Sequence, residues 1–270
     1  MTSPDANSDA TAADYDDVED GAREDSGRMS FLDHLDELRR RILYSLYAVV
    51  ASAVAVFAVI GPLFDYMKNY FIANGGQLIY THPTEGFMLQ LKIGLLASVL
   101  VASPFVFSQL WMFIAPGLYA KEKRVVVPFV FFSTLLFLGG AAFAHFQAFP
   151  IMWQFFASFE DELLSFLPTI RQAFSLYTKI ILGLGFVFQM PMLIFFLARF
   201  GIVTPRFLIR KFKYAVLLMF VVAAIITPTP DIATQLLFVA PMLVLYVVSV
   251  GVAWVFRKRK RKSVDDETAE

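Results

Sequence analysis

The fold class is decided by one segment, SFLDHLDELRRRILYSLYAVVASAVAVFAVIGPL, residues 30–63, in which a charged stretch passes directly into an apolar one. From residue 42 to residue 63 no side chain is charged. A helix needs about 20 apolar residues to cross the hydrocarbon core of a bilayer. The segment therefore predicts a membrane-spanning helix with a charged flank on its N-terminal side.

The whole chain has the composition of a protein that is solvated by lipid. Of its 270 residues, 58% are apolar and 17% are charged, with 30 phenylalanines, whereas soluble domains are about 45–50% apolar and about 25% charged. The absence of cysteine excludes disulfides and thiol chemistry. The three histidines lie far apart, so we expect no metal site and no cofactor. The acidic N-terminus has no early apolar run, so we expect no signal peptide.

Five further apolar runs follow the first, near residues 87–107, 125–149, 174–198, 214–227 and 232–256. Most of them approach the length of a membrane span, but the run over 214–227 would extend only about 21 Å as a helix at 1.5 Å per residue. The pattern predicts an all-α membrane protein with six transmembrane helices.

The basic residues predict the orientation of these helices. They cluster at four places: Arg39–Arg41, Lys121 to Arg124, Arg206 to Lys213, and Arg257 to Lys262. Between successive clusters lie two apolar runs and a loop that is poor in lysine and arginine. Since basic loops remain in the cytoplasm, we expect three hairpins with both termini cytoplasmic. The external loops would be residues 64–86 and 150–173, with a tight turn at TPTPD, residues 227–231.

Two polar tails flank this membrane domain, which we place at residues 30–257. Residues 1–29 contain nine acids and only two bases, Arg23 and Arg28. Such a composition cannot bury enough apolar area to offset chain entropy, which predicts a disordered tail. Residues 258–270 form a second charged tail that we expect in the cytoplasm.

The charged stretch before the first run has the pattern of an amphipathic helix. Apolar side chains recur at helical spacing at Phe31, Leu35, Leu38 and Ile42. On the other side, Asp36 with Arg40 and Glu37 with Arg41 are pairs at i and i+4, each of which stabilises a helix by about 0.2–0.5 kcal/mol. A charge-paired cytoplasmic helix explains the stretch. A role for one acid in binding a partner remains open.

A second informative segment follows the second apolar run: SPFVFSQLWMFIAPGLYAKEKRVVVP, residues 103–128. Pro104 is expected to bend the span, and Pro116-Gly117 ends it. Glu122 is the only acid in the turn, where Lys121, Lys123 and Arg124 surround it. A salt bridge with one of these neighbours is the simplest interpretation.

These segments resemble the TatC family, the core membrane subunits of the twin-arginine protein translocase. The resemblance rests on HLDELRRR (34–41), THPTEGF (81–87), SPFVFSQLWMFIAPGLYAKEKR (103–124) and TPTPD (227–231). It implies a concave six-helix bundle in the cytoplasmic membrane that binds twin-arginine signal peptides and exports folded proteins with the proton-motive force. It also implies small single-span TatA/TatB-type partners and further TatC copies, with no catalytic site, no cofactor and no nucleic acid.

The resemblance also implies which residues bind the signal peptide. The two recognition acids of the family correspond to Glu37 and Glu122, and the aromatic residue of the same turn corresponds to Phe113. A carboxylate accepts the planar donor fork of a guanidinium bidentately, so two arginines suit two acids. Arg39 and Phe113 are expected to support this groove.

Four more polar residues are candidates for functional contacts. Gln189 stands where many family members have a glutamate; it is expected to line a polar concavity, and the simpler alternative is a contact between helices. Asp231 in the external turn either caps the last helix or contacts a partner or the signal peptide. Thr234 and Gln235 are expected to contact a partner subunit.

Two other classes of protein are compatible with a multispan chain. A small-solute secondary transporter would normally carry several charges within its spans, but here Lys92 and Lys179 lie toward the external ends and Gln189 is neutral. An intramembrane enzyme would need a nucleophile and a base at one depth. His145 stands alone in the sequence, so we expect it to be an interfacial side chain whose hydrogen bonds are satisfied.

Overall fold

The computed structural model describes residues 13–74, 78–114, 126–161, 165–199, 201–227 and 232–255, with side chains from Asp33 onward. The described backbone is helical apart from its turns and one isolated bridge. Its helices are α1 (Ala13–Ala58), α2 (Ile60–Ala73), α3 (Glu85–Ile114), α4 (Val126–Phe143), a π turn (Ala144–Ala148), α5 (Phe149–Ala157), α6 (Ile170–Val187), α7 (Met190–Arg199), α8 (Pro205–Arg210), α9 (Phe212–Ile226) and α10 (Ile232–Val255).

Five helical stretches in the described ranges are long and apolar enough to cross a membrane: Asp33–Ala58, Glu85–Ile114, Val127–Ala157, Ile170–Arg199 and Thr234–Val255. The remaining predicted span is the shorter helix Phe212–Ile226. The prediction of an all-α membrane protein is confirmed, and its six apolar runs correspond to five long helices and one short helix. The predicted disorder of the tail over 1–29 differs from the described backbone of residues 13–29, which is helical as the first part of α1. For residues 1–12, which lie outside the description, the tail stays a prediction.

Helices α1 and α3 pack closely, and small side chains allow the contact. Ser52 Oγ donates a 2.9 Å hydrogen bond to the Ser98 carbonyl oxygen. At Gly94 an added Cβ would lie 2.6 Å from Cζ of Phe57, so a glycine is needed where this ring crosses α3. This contact places the charged N-terminal side of the first span beside the C-terminal end of α3.

The core is richest in aromatic side chains near α2, α5 and α6. Phe71, Phe149, Trp153 and Phe174 are all at most 2% exposed. The Phe149 and Trp153 rings stack with their centroids 5.3 Å apart, and Phe71 meets Phe149 edge-on at 5.5 Å. Burial of side chains of this size contributes most of the packing energy of such a cluster.

A π turn in the third span leaves one carbonyl without a backbone donor. In this turn Phe149 N–H bonds the Ala144 oxygen, five residues back. The same spacing would pair the His145 oxygen with Pro150, which has no N–H. Tyr70 of α2 supplies the missing donor through its hydroxyl.

The His145 ring is held by tyrosines from two other helices. Tyr66 OH lies 2.8 Å from its Nε2, and Tyr177 OH lies 2.8 Å from its Nδ1. Tyr70 also stacks on the ring at 4.2 Å. Both ring nitrogens therefore have a partner, as expected for a histidine with a structural role.

The fourth span consists of two helices, α6 and α7, with a break at Phe188 and Gln189. Gln189 N–H bonds the Phe186 oxygen at 3.0 Å, which is the tighter spacing of a 3₁₀ turn. Pro191 follows and cannot donate to the preceding turn of the helix. The break leaves the Val187 carbonyl oxygen without the helical donor that residue 191 would supply, and the ladder resumes where the Gln189 oxygen accepts from Leu193 N–H at 2.9 Å.

Two loops pair at the end of the bundle where α3 begins. Ile79 N–H donates to the Pro168 oxygen at 3.3 Å, and Ile170 N–H donates to the Ile79 oxygen at 3.1 Å. Thr169 then caps α6 by accepting from Gln172 N–H. The first turns of α3 and α6 are thereby held near each other.

Candidate functional site

The site begins with Arg41 of α1, whose guanidinium contacts Glu37 on its own helix and two side chains of α3. Its Nη2 lies 3.1 Å from Glu37 Oε1, and its Nη1 lies 3.2 Å from Gln109 Oε1 and 3.6 Å from Met112 Sδ on α3. The predicted ion pair between Glu37 and Arg41 is confirmed. Because Gln109 is 68 residues away, its part in the site was not visible in the sequence.

The other predicted pair of this stretch, Asp36 with Arg40, is wrong. Arg40 Nε donates instead to the hydroxyl of Tyr44 at 2.9 Å, and the guanidinium carbon lies 5.4 Å from the centroid of that ring. Tyr44 is also four residues away and offers both an oxygen and an aromatic face, which together outweigh one exposed ion pair. Asp36 consequently has no ion pair among the described residues.

Glu37 keeps much of its acceptor capacity. Its side chain is 34% exposed, and its contact to Arg41 uses only Oε1. A carboxylate offers about four lone-pair sites. Oε2 has no hydrogen-bond partner in the described part of the chain, so a second cation can reach this group from solution.

Phe113 lies in the last turn of α3, on the same side as Glu37. Its ring stacks on His34 of α1 with the centroids 4.6 Å apart and the planes 20° from parallel. A cavity of about 330 Å³ opens beside it, with Leu38, Arg41, Gln109 and Phe113 in its wall. The structure thus packs Phe113 against α1 one helical turn from Glu37, which does not itself line the cavity.

Arg39 is exposed and makes no hydrogen bond or ion pair with any residue that the structure describes. Glu122 and Asp231 lie outside the described residues, within the gaps 115–125 and 228–231. The predicted meeting of Glu37 with Glu122, and the role of Asp231, stay predictions.

Gln189 takes part in a short polar chain across three helices. Its Nε2 donates to the Ser133 carbonyl oxygen of α4 at 3.0 Å, and the Ser133 hydroxyl accepts from Trp111 Nε1 at 2.9 Å. These bonds are the contacts of a residue that joins helices. The predicted polar concavity at Gln189 stays a prediction, and Ser133 is a residue that the sequence did not single out.

Thr234 and Gln235 pack within the chain. Thr234 is 2% exposed, and Gln235 Nε2 donates to the Phe220 carbonyl oxygen of α9 at 2.8 Å. The helix face that carries Thr234 is covered by the protein itself, so the expected partner contact there finds no support in this geometry.

A family model and individual relatives all match this chain to one protein family. The family model for the Sec-independent protein translocase protein (TatC) matches residues 33–241. A relative from Koribacter versatilis, named Sec-independent protein translocase protein TatC, is 43% identical over 249 residues, covering 90% of this chain and 92% of the relative. The Bacillus subtilis protein TatCy is 32% identical over 241 residues, covering 88% and 94%.

A solved structure is similar over most of the chain. It is described as the crystal structure of the twin-arginine translocase receptor TatC, and it superposes with a TM-score of 0.73 at 32% sequence identity. The match covers 83% of this chain and 99% of the solved one.

Proposed function

The chain belongs to the TatC family of Sec-independent protein translocase proteins, and we propose that its Glu37 carboxylate binds the arginine pair of a twin-arginine signal peptide. The chain is the TatC subunit of the twin-arginine translocase and a receptor for its signal peptides; it is a transport protein and not an enzyme. The alternative of a small-solute secondary transporter therefore falls away.

The site assignment rests on the Glu37 carboxylate, of which only Oε1 contacts Arg41. Arg41 in turn bonds Gln109 of α3, which keeps the Glu37 segment next to that helix. Its free oxygen can accept a guanidinium of the peptide, and each charge-assisted hydrogen bond contributes about 1.5–3 kcal/mol. Exposed Arg39 and Arg40 lie close to Glu37 along α1, so a peptide arginine that does not engage the carboxylate is repelled by these bases.

Glu122 is proposed as the second carboxylate of the receptor. Support comes from Phe113, which lies one residue before the end of α3 and stacks on His34, three residues before Glu37. The described end of α3 therefore lies beside the Glu37 segment, eight residues before Glu122 in the sequence. Phe113 is proposed to pack against the apolar part of the bound peptide. Arg39 is proposed to add positive charge to the surface around Glu37.

We propose that the domain over 30–257 lies in the cytoplasmic membrane with both termini in the cytoplasm, between the acidic tail 1–29 and the charged tail 258–270. The support is that two spans lie between each basic cluster and the next, so that all four clusters fall on the same side of the membrane. In this orientation Glu37 and Phe113 face the cytoplasm, where signal peptides arrive.

The translocase is proposed to need partners. Small single-span TatA/TatB-type subunits and further TatC copies would cover apolar faces of this chain, and the proton-motive force would drive the folded cargo. Gln189 cannot titrate, so protons would have to pass through other groups. Asp231 remains a proposed contact with a partner or with the inserted signal peptide.

A peptide-binding measurement tests the site. The full chain in lipid nanodiscs is titrated with a labelled signal peptide that carries either two arginines or two lysines. Glu37→Gln should weaken binding of the arginine peptide by about 10- to 150-fold, the equivalent of one charge-assisted hydrogen bond. Asp36→Asn is the matched control, since this neighbouring acid has no ion pair, and it should bind as the wild type does. Unchanged affinity in Glu37→Gln would reject the assignment.

A further inference from the structure

A small cavity lies at the start of α3, at the other end of this helix from Glu37. Its volume is about 140 Å³, and its wall contains two exposed bases, Lys92 of α3 and Arg171 of α6. The other residues of the wall are His82, Thr84, Glu85, Met88, Leu89 and Phe174. The pairing of Ile79 with the start of α6 holds these two helices together here.

The one carboxylate of this cavity is already occupied. Glu85 is 7% exposed and accepts two hydrogen bonds from Thr81, one from its hydroxyl at 2.7 Å and one from its backbone N–H at 3.0 Å. These bonds use one site on each carboxylate oxygen and fix the entry of the chain into α3.

Lys92 and Arg171 form no ion pair within the described residues, although Glu85 lies within electrostatic range of Arg171. Two positive charges therefore line the cavity against a single negative charge. Lys92 and Arg171 thus exceed Glu85, the acid of this wall, by one positive charge.

The depth of Lys92 makes this excess costly. Lys92 is seven residues into α3, about 10 Å from the start of the helix at 1.5 Å per residue. Ionisable groups within a span are expensive unless they reach the interface or find an opposite charge. The lysine stem can carry the ammonium back toward the interface, where Arg171 lies in the first turn of α6.

We propose that Lys92 and Arg171 together bind the phosphate of an anionic phospholipid headgroup in the outer leaflet. A guanidinium fork and an ammonium are the side-chain groups that recognise phosphate. Met88, Leu89 and Phe174 give the cavity an apolar wall beside the charges, as needed for the glycerol and acyl part of a lipid but not for a free ion. The inference rests on the orientation proposed above and does not depend on the Glu37 site.

Native mass spectrometry of the full chain tests this proposal. The delipidated protein is titrated with phosphatidylglycerol, with diacylglycerol of the same acyl chains, and with inorganic phosphate. At about 1 kcal/mol for each base near the membrane surface, phosphatidylglycerol affinity should fall about fivefold in Lys92→Gln or Arg171→Gln and about 30-fold in the double variant. Diacylglycerol should bind much more weakly than phosphatidylglycerol.

Lys68→Gln is the matched control, because this base of α2 already pairs with Asp65 at 2.7 Å. It should leave phosphatidylglycerol affinity unchanged. Equal affinity in the wild type and both single variants would overturn the proposal, and so would a site that takes inorganic phosphate as tightly as the lipid. Signal-peptide binding, measured on the same samples, should be retained in all these variants, which separates this result from a failure of the receptor site.

Discussion

Arg41 donates a 3.2 Å hydrogen bond to Gln109, and this contact ties the start of the first span to the end of the second. The same guanidinium contacts Glu37, while its Nε is buried without a partner. Arg41 therefore occupies Glu37 in the way a signal-peptide arginine would, but with one donor unsatisfied. In the proposed receptor site Arg41 would hold Oε1 while the peptide approaches Oε2, so the two guanidiniums would compete for one negative charge.

Replacing this internal competitor should strengthen binding. In Arg41→Gln the Glu37 carboxylate loses its neutralising charge, so the affinity for a twin-arginine peptide should rise several-fold. The measurement is the same peptide titration in nanodiscs. In the Glu37→Gln background, Arg41→Gln should have little effect, because the group for which it competes is gone. Weaker binding in Arg41→Gln alone would show that Arg41 acts only by orienting Glu37.

The Tyr70 hydroxyl should contribute measurably to stability. Tyr70→Phe removes the donor to the His145 carbonyl, which Pro150 leaves without a backbone partner, and an unsatisfied buried acceptor costs about 1–3 kcal/mol. We expect a lower midpoint of thermal unfolding in detergent. Tyr47→Phe is the control, since Tyr47 is 62% exposed.

A rescue variant sharpens this test. Pro150→Ala restores a backbone N–H five residues after His145, so Tyr70→Phe should cost less in the Pro150→Ala background than in the wild type. An equal loss in both backgrounds would mean that the tyrosine acts through its ring stacking alone.

Two neighbouring hydroxyls on α4 should differ in their effect on stability. Ser133→Ala removes the acceptor of Trp111 Nε1 and leaves a buried donor unpaired, at a cost of about 1–3 kcal/mol. Thr134→Val should be neutral or stabilising, because the Thr134 hydroxyl is buried without a partner. Thermal unfolding of both variants in one detergent checks the difference. Similar midpoints would contradict the assigned role of Ser133.

The proposed orientation can be measured by labelling single introduced cysteines, because the chain has no cysteine of its own to react. A single cysteine at Thr81 should react with an impermeant maleimide added to intact cells, and one at Lys211 should react only after the membrane is opened. Labelling of the Lys211 position in intact cells would invert the proposed topology.

The sequence predicted the spans well because their signal is local: a long uncharged run has few alternatives to a membrane helix. It also identified the Glu37–Arg41 pair, whose members lie on adjacent helical turns. The partner of Arg40 was predicted wrongly, since Tyr44 competes at the same spacing as Asp36. The contacts of Arg41 with Gln109 and of Trp111 with Ser133 depend on how separate helices pack, which no local pattern specifies.

The indole of Trp111 bears on how the protein is made. Trp111 belongs to the second span, its Nε1 bonds Ser133 of the third, and its ring stacks at 4.1 Å on Phe196 of the fourth. A nascent chain that has delivered only three spans lacks the aromatic surface on which this indole rests. The end of the bundle where we propose that the signal peptide binds is thus completed only after the ribosome has passed residue 196.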